Sequence, residues 1–189
     1  MTVNRWFTSD THFWHEAVIR FCPNTRDGGN ALEMTELLIE NWNKVVSPND
    51  IVYHCGDFSF GGKEKLRSLV GRLNGQIHIT WGNHDYMLKK TPEFHQMFTT
   101  MQDIKHIKVG DYRFIMCHYP MAEWWDCHKG TIMVYGHLHG NTTNIAHQQQ
   151  FKMMDVGVDT RKDNLMIPNH IDEVLEFVKN RDIMTHHDQ

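Results

Sequence analysis

The sequence predicts an α/β domain with extra antiparallel strands, on three observations. Short apolar, β-branched or aromatic runs recur along the chain. Two amphipathic helical stretches alternate with the first three of those runs, and the second half carries four more runs with turn signals between them in place of helices. The first run, 5–7, is strand-like. Residues 30–46 follow as a helix: Met34, Leu38, Trp42 and Val45 recur at helical spacing, Asn30 stands as N-cap with Glu33 three residues on, and Pro48 lies just beyond. A strand at 50–54 leads to a helix at 63–73, whose Leu66, Leu69, Val70 and Leu73 share one stripe and whose stop is Gly75. Further strands are expected at 76–81, 104–109, 112–117, 131–135 and 151–158, with turns at Gly110-Asp111 and Gly140-Asn141. Pro168 opens a last helix, 169–181, with Ile171, Val174, Leu175 and Val178 on one face. Alternating strands and helices in the first half call for parallel pairing through crossovers.

A chain of 189 residues suits one domain, placed at 1–184, with 185–189 as a polar tail in which His186-His187 is surface decoration. Apolar residues make up 40% and charged residues 22%, which excludes disorder as the main state. The net charge of −4 offers no global attraction to nucleic acid or anionic lipid, although a polyanion can still meet a local positive site. No stretch nears the roughly 18 to 20 unbroken apolar residues of a membrane span, and residues 1–5 run into strand-like sequence without a signal-peptide core. The expectation is therefore a soluble, cytoplasmic protein with no membrane partner. Cys22, Cys55, Cys117 and Cys127 form no C-x-x-C pair and are read as reduced thiols. With 15 histidines in the chain, a histidine counts only in patterned company.

Such company exists. Ser9-Asp10-Thr11-His12, Gly56-Asp57, Gly82-Asn83-His84-Asp85, Cys117-His118 and Gly136-His137-Leu138-His139 each follow a predicted strand at once. In α/β sheets ligands bind beyond the carboxyl ends of strands, so the five clusters should converge there. Glycine before the polar residue allows a tight turn and close backbone approach. Two Asp, one Asn and four His make a ligand set suited to Mn, Fe, Zn, Ni or Co and poorly suited to calcium. Seven ligands exceed one tetrahedral site, whereas two metals sharing a carboxylate would use them all. Strand alternation would let Asp10/His12 and His137/His139 each project both members inward, leaving Asp57 as the natural bridge.

The five blocks in this order, D-x-H, G-D, G-N-H-D, a lone His and G-H-x-H, resemble the calcineurin-like metallophosphoesterases, over roughly residues 5–159. The resemblance implies a four-layer α/β sandwich, two mixed β-sheets packed face to face and flanked by helices, of the small, cap-less type. It implies two divalent transition-metal ions, manganese foremost: one held by Asp10, His12, Asp57 and His139, the other by Asp57, Asn83, His118 and His137. It gives His84 the contact to phosphate and the leaving group, and Asp85 the task of orienting that ring. The implied function is hydrolysis of a phosphate monoester or diester, small and nucleotide-like, by attack of a metal-bridging hydroxide. Two cations beside two carboxylates make a locally positive site, which outweighs the negative chain for a small phosphorylated substrate. A nuclease of the same superfamily is the alternative, disfavoured by the lack of a basic stripe for nucleic acid. A non-catalytic scaffold is the other, disfavoured by the complete signature.

Outside the motifs the histidines are read as surface or satisfied structural residues first, with His15 and His54 the two that could instead touch substrate. Cys55 and Cys117 should turn into the core by strand alternation. Phe13, Trp14, Trp81, Tyr86, Tyr119, Trp124 and Trp125 lie near the motif loops, as packing residues first and as stacking rings at a rim second. Arg26, in the 23–29 loop, is either solvated or a bidentate phosphate clamp.

Overall fold

A computed structural model describes residues 2–163 and 165–185, so His186 and His187 lie outside the described residues. Strands β1 (Arg5–Thr8), β2 (Ile51–His54), β3 (Gln76–Thr80), β4 (Thr100–Gln102) and β9 (Asn169–His170) form one sheet in the order β4-β3-β2-β1-β9. All pairings in it are parallel except β1 with β9. The second sheet, in the order β5-β6-β7-β8, comprises β5 (Ile104–Val109), β6 (Tyr112–Cys117), β7 (Ile132–Tyr135) and β8 (Met153–Asp155). Its β5–β6 pair is an antiparallel hairpin through Gly110, at φ +57°, and β6, β7 and β8 run parallel. These are two mixed sheets flanked by helices, the short α1 (Glu16–Phe21), α4 (Tyr86–Lys90) and α5 (Pro92–His95) among them.

Period-two alternation sorts the side chains into layers. Phe7, Tyr53 and Cys55 from the first sheet meet Phe114, Met116, Ile132, Val134 and Met154 from the second to fill the space between them. On the other face of the first sheet, Val52, Ile77 and Ile79 pack under α2 (Ala31–Val45), through Met34, Leu38 and Trp42, and under α3 (Lys63–Arg72), through Leu66 and Leu69. The outer face of the second sheet, with Ile115, Met133, Tyr135 and Met153, is covered by Trp124, Cys127, Met184 and partly buried Phe151. Short 3-10 turns, Cys127–Lys129 and Thr143–Gln150, make up that layer instead of long helices.

The caps are local. Asn30 accepts hydrogen bonds from the Leu32 and Glu33 amides, 3.0 Å each, and Glu33 accepts from Gly29 N at 2.8 Å, closing the start of α2. The helix expected at 169–181 is shorter, α6 (Ile171–Val178). Asn169 and His170 pair with β1, and His170 caps the helix in a capping box with Glu173. The strand expected at 151–158 shrinks to Met153–Asp155, because 156–159 turns away toward the carboxyl ends of the sheets.

Candidate metal centre

All five motif clusters leave the carboxyl ends of β1, β2, β3, β6 and β7, and they converge. The device is not the alternation expected from the pattern. Of the eight described non-glycine residues with positive φ, five are Asp10, His12, Asp57, His137 and His139, at 47° to 72°. Left-handed backbone at non-glycine residues costs of order 1–2 kcal/mol each and persists only where surroundings over-determine it. Here they do. Asp10 N donates to Gly56 O at 2.9 Å and His12 N to Asp57 O at 3.0 Å, stitching the first two motif loops together. Two glycines then let backbone touch carboxylate: a Cβ on Gly82 would stand 2.1 Å from Asp57 Oδ1, and one on Gly136 would stand 2.3 Å from Asp10 Oδ2. Of the two roles expected of these glycines, a tight turn and close backbone approach, it is the close approach that a Cβ would forbid here.

The ligand-type atoms form two groups. Asp10, His12 and His139 each offer one atom, mutually within 4.8 Å, and so do Asp57, His118 and His137. His12 Nε2 lies 3.9 Å from Asp10 Oδ1, as does His139 Nε2. In the second group Asn83 Oδ1 is 3.0 Å from His118 Nε2 and 3.1 Å from His137 Nδ1. Asp57 stands between the groups, its Oδ2 3.6 Å from His12 Nε2 and 3.5 Å from His118 Nε2.

Electrostatics make the cluster unsatisfied as it stands. Burial, with Asp155 and Asp57 nearby, pushes the Asp10 carboxyl up to about 8 despite opposing attraction from His139. Burial and Arg26 hold the His12 ring far below the usual histidine range, hence neutral, and neither of its buried nitrogens has a hydrogen-bond partner. His118 donates from Nδ1 to Cys55 O at 2.8 Å, which leaves Nε2 as the lone-pair atom facing Asp57. His139 Nδ1 is held by Asp159 Oδ2 at 2.6 Å, so its Nε2 faces Asp10. Burial disfavours charge on His139, yet the bond to Asp159 outweighs it and raises the ring to about 10. Orphaned neutral nitrogens facing crowded carboxylate oxygens are what divalent cations satisfy, and the imidazole–carboxylate pair at His139 is the usual outer support of a metal ligand.

Residues 6–161 match the family described as the calcineurin-like phosphoesterase superfamily domain. The chain belongs to this family. That makes it a phosphoric ester hydrolase, of a family that works with divalent metal ions. An uncharacterized protein of Methanocaldococcus jannaschii is 36% identical over 138 residues, which cover 72% of this chain and 69% of that one. The gene 66 protein of Mycobacterium phage D29 is 27% identical over 93% of this chain and 96% of its own. Among solved structures, a protein of unknown function from Aquifex aeolicus superposes with a TM-score of 0.71 at 25% identity, covering 94% of this chain and 100% of that chain.

Around this phosphoesterase centre several neighbours take places other than those expected. Asp85 does not orient His84. Its Oδ2 accepts from Asp57 N and Gly82 N, 2.8 Å each, and its Oδ1 from Phe58 N at 2.9 Å, so it clamps the turn after β2 to the turn after β3. Burial pushes that carboxyl up to about 6 against those donors. Residues 82–85 form a turn, and adjacent side chains in a turn diverge. His84 is tied instead to Asp57, through its own backbone N to Oδ1 at 2.8 Å and with its Nε2 4.0 Å from Oδ2. Arg26 is neither solvated nor a phosphate clamp. Its guanidinium is buried, grips Asp159 at 2.6 and 2.8 Å, and donates to the carbonyls of Asp10 and Thr11 at 2.5 and 3.0 Å. Asp159 was missed. It stands straight after the strand expected at 151–158, as the other motifs follow theirs, but a lone Asp between Val158 and Thr160 lacks their patterned company.

Cys55 and Cys117 sit in the cores, as expected. Phe13 and Trp124 are core residues too, whereas Tyr119 is 45% exposed at the rim, its hydroxyl 3.4 Å from Asn83 Oδ1. His54 takes the structural place read first for it, with both ring nitrogens satisfied inside the fold. It is fully buried, accepts from Gly56 N at Nδ1 (3.1 Å), and therefore carries its proton on Nε2 toward Thr11 Oγ1 (3.0 Å). Burial lowers its pKa to about 3. The unfolded chain, with an ordinary histidine near 6.5, then binds the proton that the folded state refuses. Stability should be undiminished by this group above about pH 6.5 and fall by up to about 1.4 kcal/mol per pH unit toward pH 3. Urea melts of His54→Gln between pH 4 and 7 should show a flatter slope than the parent; an unchanged slope would remove His54 from the account.

Proposed function

We propose that the protein hydrolyses a small phosphate monoester or diester at a dinuclear centre, with Asp57 as the bridge between two divalent cations. One observation carries the reading: a single carboxylate oxygen, Asp57 Oδ2, stands 3.6 Å from His12 Nε2 and 3.5 Å from His118 Nε2. Asp10, His12, Asp57 and His139 would hold one ion, and Asp57, Asn83, His118 and His137 the other. The mixed oxygen and nitrogen set favours manganese, iron, zinc, nickel or cobalt. Bound there, the ions supply Lewis acidity and a nucleophilic water near neutral pH.

The remaining work falls to the chain. His12 and His118 are kept neutral by burial, so no proton has to be displaced from either nitrogen. The clamp made by Asp85 fixes the spacing between Asp57 and Asn83–His84, and Arg26 with Asp159 fixes Asp10 and His139. His84, with its side chain 43% exposed at the mouth, is placed to give a proton to the departing oxygen from Nε2. No Ser or Cys nucleophile is called for, since charge neutralisation and alignment do the chemistry. A reducing, cytoplasmic setting fits the four cysteines, none of which forms a disulfide.

The test is reconstitution with Mn²⁺, followed by elemental analysis and assay on bis-p-nitrophenyl phosphate and an alkyl phosphate. Two ions per chain and turnover are expected. His84→Ala should keep both ions and lose about 10²- to 10⁴-fold in kcat, more on the alkyl ester, whose poor leaving group needs the proton most. One ion per chain at saturation would sink the dinuclear reading, and full alkyl-ester activity in His84→Ala would sink the role of that ring.

A further inference from the structure

On the His84 side, the rim is built from a ring pair that none of the motifs contains. Phe60 and His15 lie face to face, centroids 3.7 Å apart and planes within 7°. Of the rings around His84, Phe60 at 4.8 Å is nearer than His12 at 5.6 Å and His15 at 6.2 Å. Phe60 also lies 5.5 Å from His12, so it borders the centre itself, yet it is 41% exposed. A singly exposed apolar ring is ordinary on a protein surface; this one counts for its place, beside both His84 and the ligand His12.

The pair is anchored by backbone. Phe60 N donates to Phe13 O at 2.9 Å, and His15 N donates to His12 O at 3.0 Å. Behind Phe60, Gly61 lies so close to the Trp14 ring that a Cβ there would come within 2.5 Å of it. The stack is thus preformed and held by the same loops that carry His12 and Asp57. A preformed face loses little freedom when a ligand covers it.

We propose that the Phe60–His15 stack seats the leaving group of the substrate, and that this group carries a flat aromatic ring, as in a nucleoside or an aryl ester. The proposal rests on the phosphoesterase reading above, through the place of His84 at the departing oxygen. One flat ring already lies on Phe60 at 3.7 Å, and with 41% of the residue exposed a second ring can reach it from solvent, by face or by edge. Aromatic–base stacking of this kind is sequence-tolerant, and its loss is worth about tenfold or more in affinity. The stack therefore selects for a ring without choosing among bases.

The test is calorimetry on the Mn²⁺-loaded protein with three phosphonates, whose P–C bonds a phosphoesterase does not cleave: methylphosphonate, phenylphosphonate and the 5′-methylenephosphonate of adenosine. The expected result is that at least one ring-bearing probe binds about tenfold tighter than methylphosphonate. Phe60→Leu, which keeps apolar bulk without a π face, and Phe60→Ala should bring that ratio near one, and Phe60→Tyr should keep it. Preference for the adenosine probe over phenylphosphonate would identify a nucleoside, and the reverse a simple aryl group. Equal affinity for all three in the parent, or a ratio that survives Phe60→Leu, overturns the proposal while leaving the phosphoesterase reading intact. Failure of every phosphonate to bind overturns both.

Discussion

Asp57→Asn should reduce turnover on bis-p-nitrophenyl phosphate by at least about 10³-fold and lower the bound Mn²⁺ below two per chain, with the fold retained. The substitution is nearly isosteric, so Oδ1 can still accept from His84 N, now 2.8 Å away. What it removes is charge at Oδ2, the oxygen 3.5 to 3.6 Å from nitrogens of both groups. An amide oxygen is a weak bridge between two cations, and an amide nitrogen flipped into that place is no ligand at all. The loss should therefore fall on both ions together, not on one. Circular dichroism and melting of the metal-free protein provide the control: relief of carboxylate crowding around buried Asp10, itself pushed up to about 8, should leave the apo variant as stable as the parent or more so. Wild-type turnover in Asp57→Asn, or loss of one ion with the other kept at full affinity, would show that Asp57 does not bridge.

The motif residues were legible because chemistry and topology coincide in them. An Asp, Asn or His straight after a strand of a parallel sheet has few structural reasons to be there, and five such clusters have fewer. The backbone that makes them converge was not legible. Nothing in Asp10-Thr11-His12 or His137-Leu138-His139 announces left-handed dihedrals, and alternation along a strand gave the same inward direction for a different reason. The resemblance gave Asp85 to His84, and nothing in the sequence shows that both its oxygens are taken up by the amides of Asp57, Phe58 and Gly82. Long amphipathic helices at 31–45 and 63–72 carried their own stripes, the first with Asn30 as its cap, whereas β9 pairs through two residues and β4 through three, too few to show a period. Phe60 was overlooked for a related cause: its importance lies in a stack with His15, across a gap of sequence that no local pattern spans.

Asp159 is the residue that sequence left silent and whose loss should be felt in two separate measurements. It joins three things: the His139 ring at 2.6 Å, the Arg26 guanidinium at 2.6 and 2.8 Å, and Thr25 Oγ1 at 2.6 Å. Burial works against its charge, but the His139 and Arg26 bonds more than offset that and hold its carboxyl well below the usual range. In Asp159→Asn the Arg26 charge, whose side chain is 0% exposed, loses its buried counter-ion, and removing one partner of such a pair costs about 3–5 kcal/mol. The metal-free variant should therefore melt at markedly lower urea. Because the folded pKa is depressed, the carboxylate's contribution is complete above its unfolded value of about 3.9 and is lost only as pH falls through the folded one. The same bond raises His139 to about 10, a contribution complete below that ring's unfolded value of about 6.5 and lost as pH rises toward 10, so the deficit should be flat from about pH 5 to 6.5 and shrink above it. The second measurement is metal affinity. Without a carboxylate at Nδ1, His139 is free to turn or change tautomer, and Nε2 no longer stands fixed before Asp10; outer-shell losses of this kind cost about 10- to 100-fold in affinity. That weakening should fall on the ion held by Asp10, His12 and His139, while the ion at Asn83, His118 and His137 binds within a few-fold of the parent. Calorimetric titration of Mn²⁺ would then resolve two steps where the parent shows closely matched ones, and an unshifted isotherm would mean that Asp159 supports the fold alone.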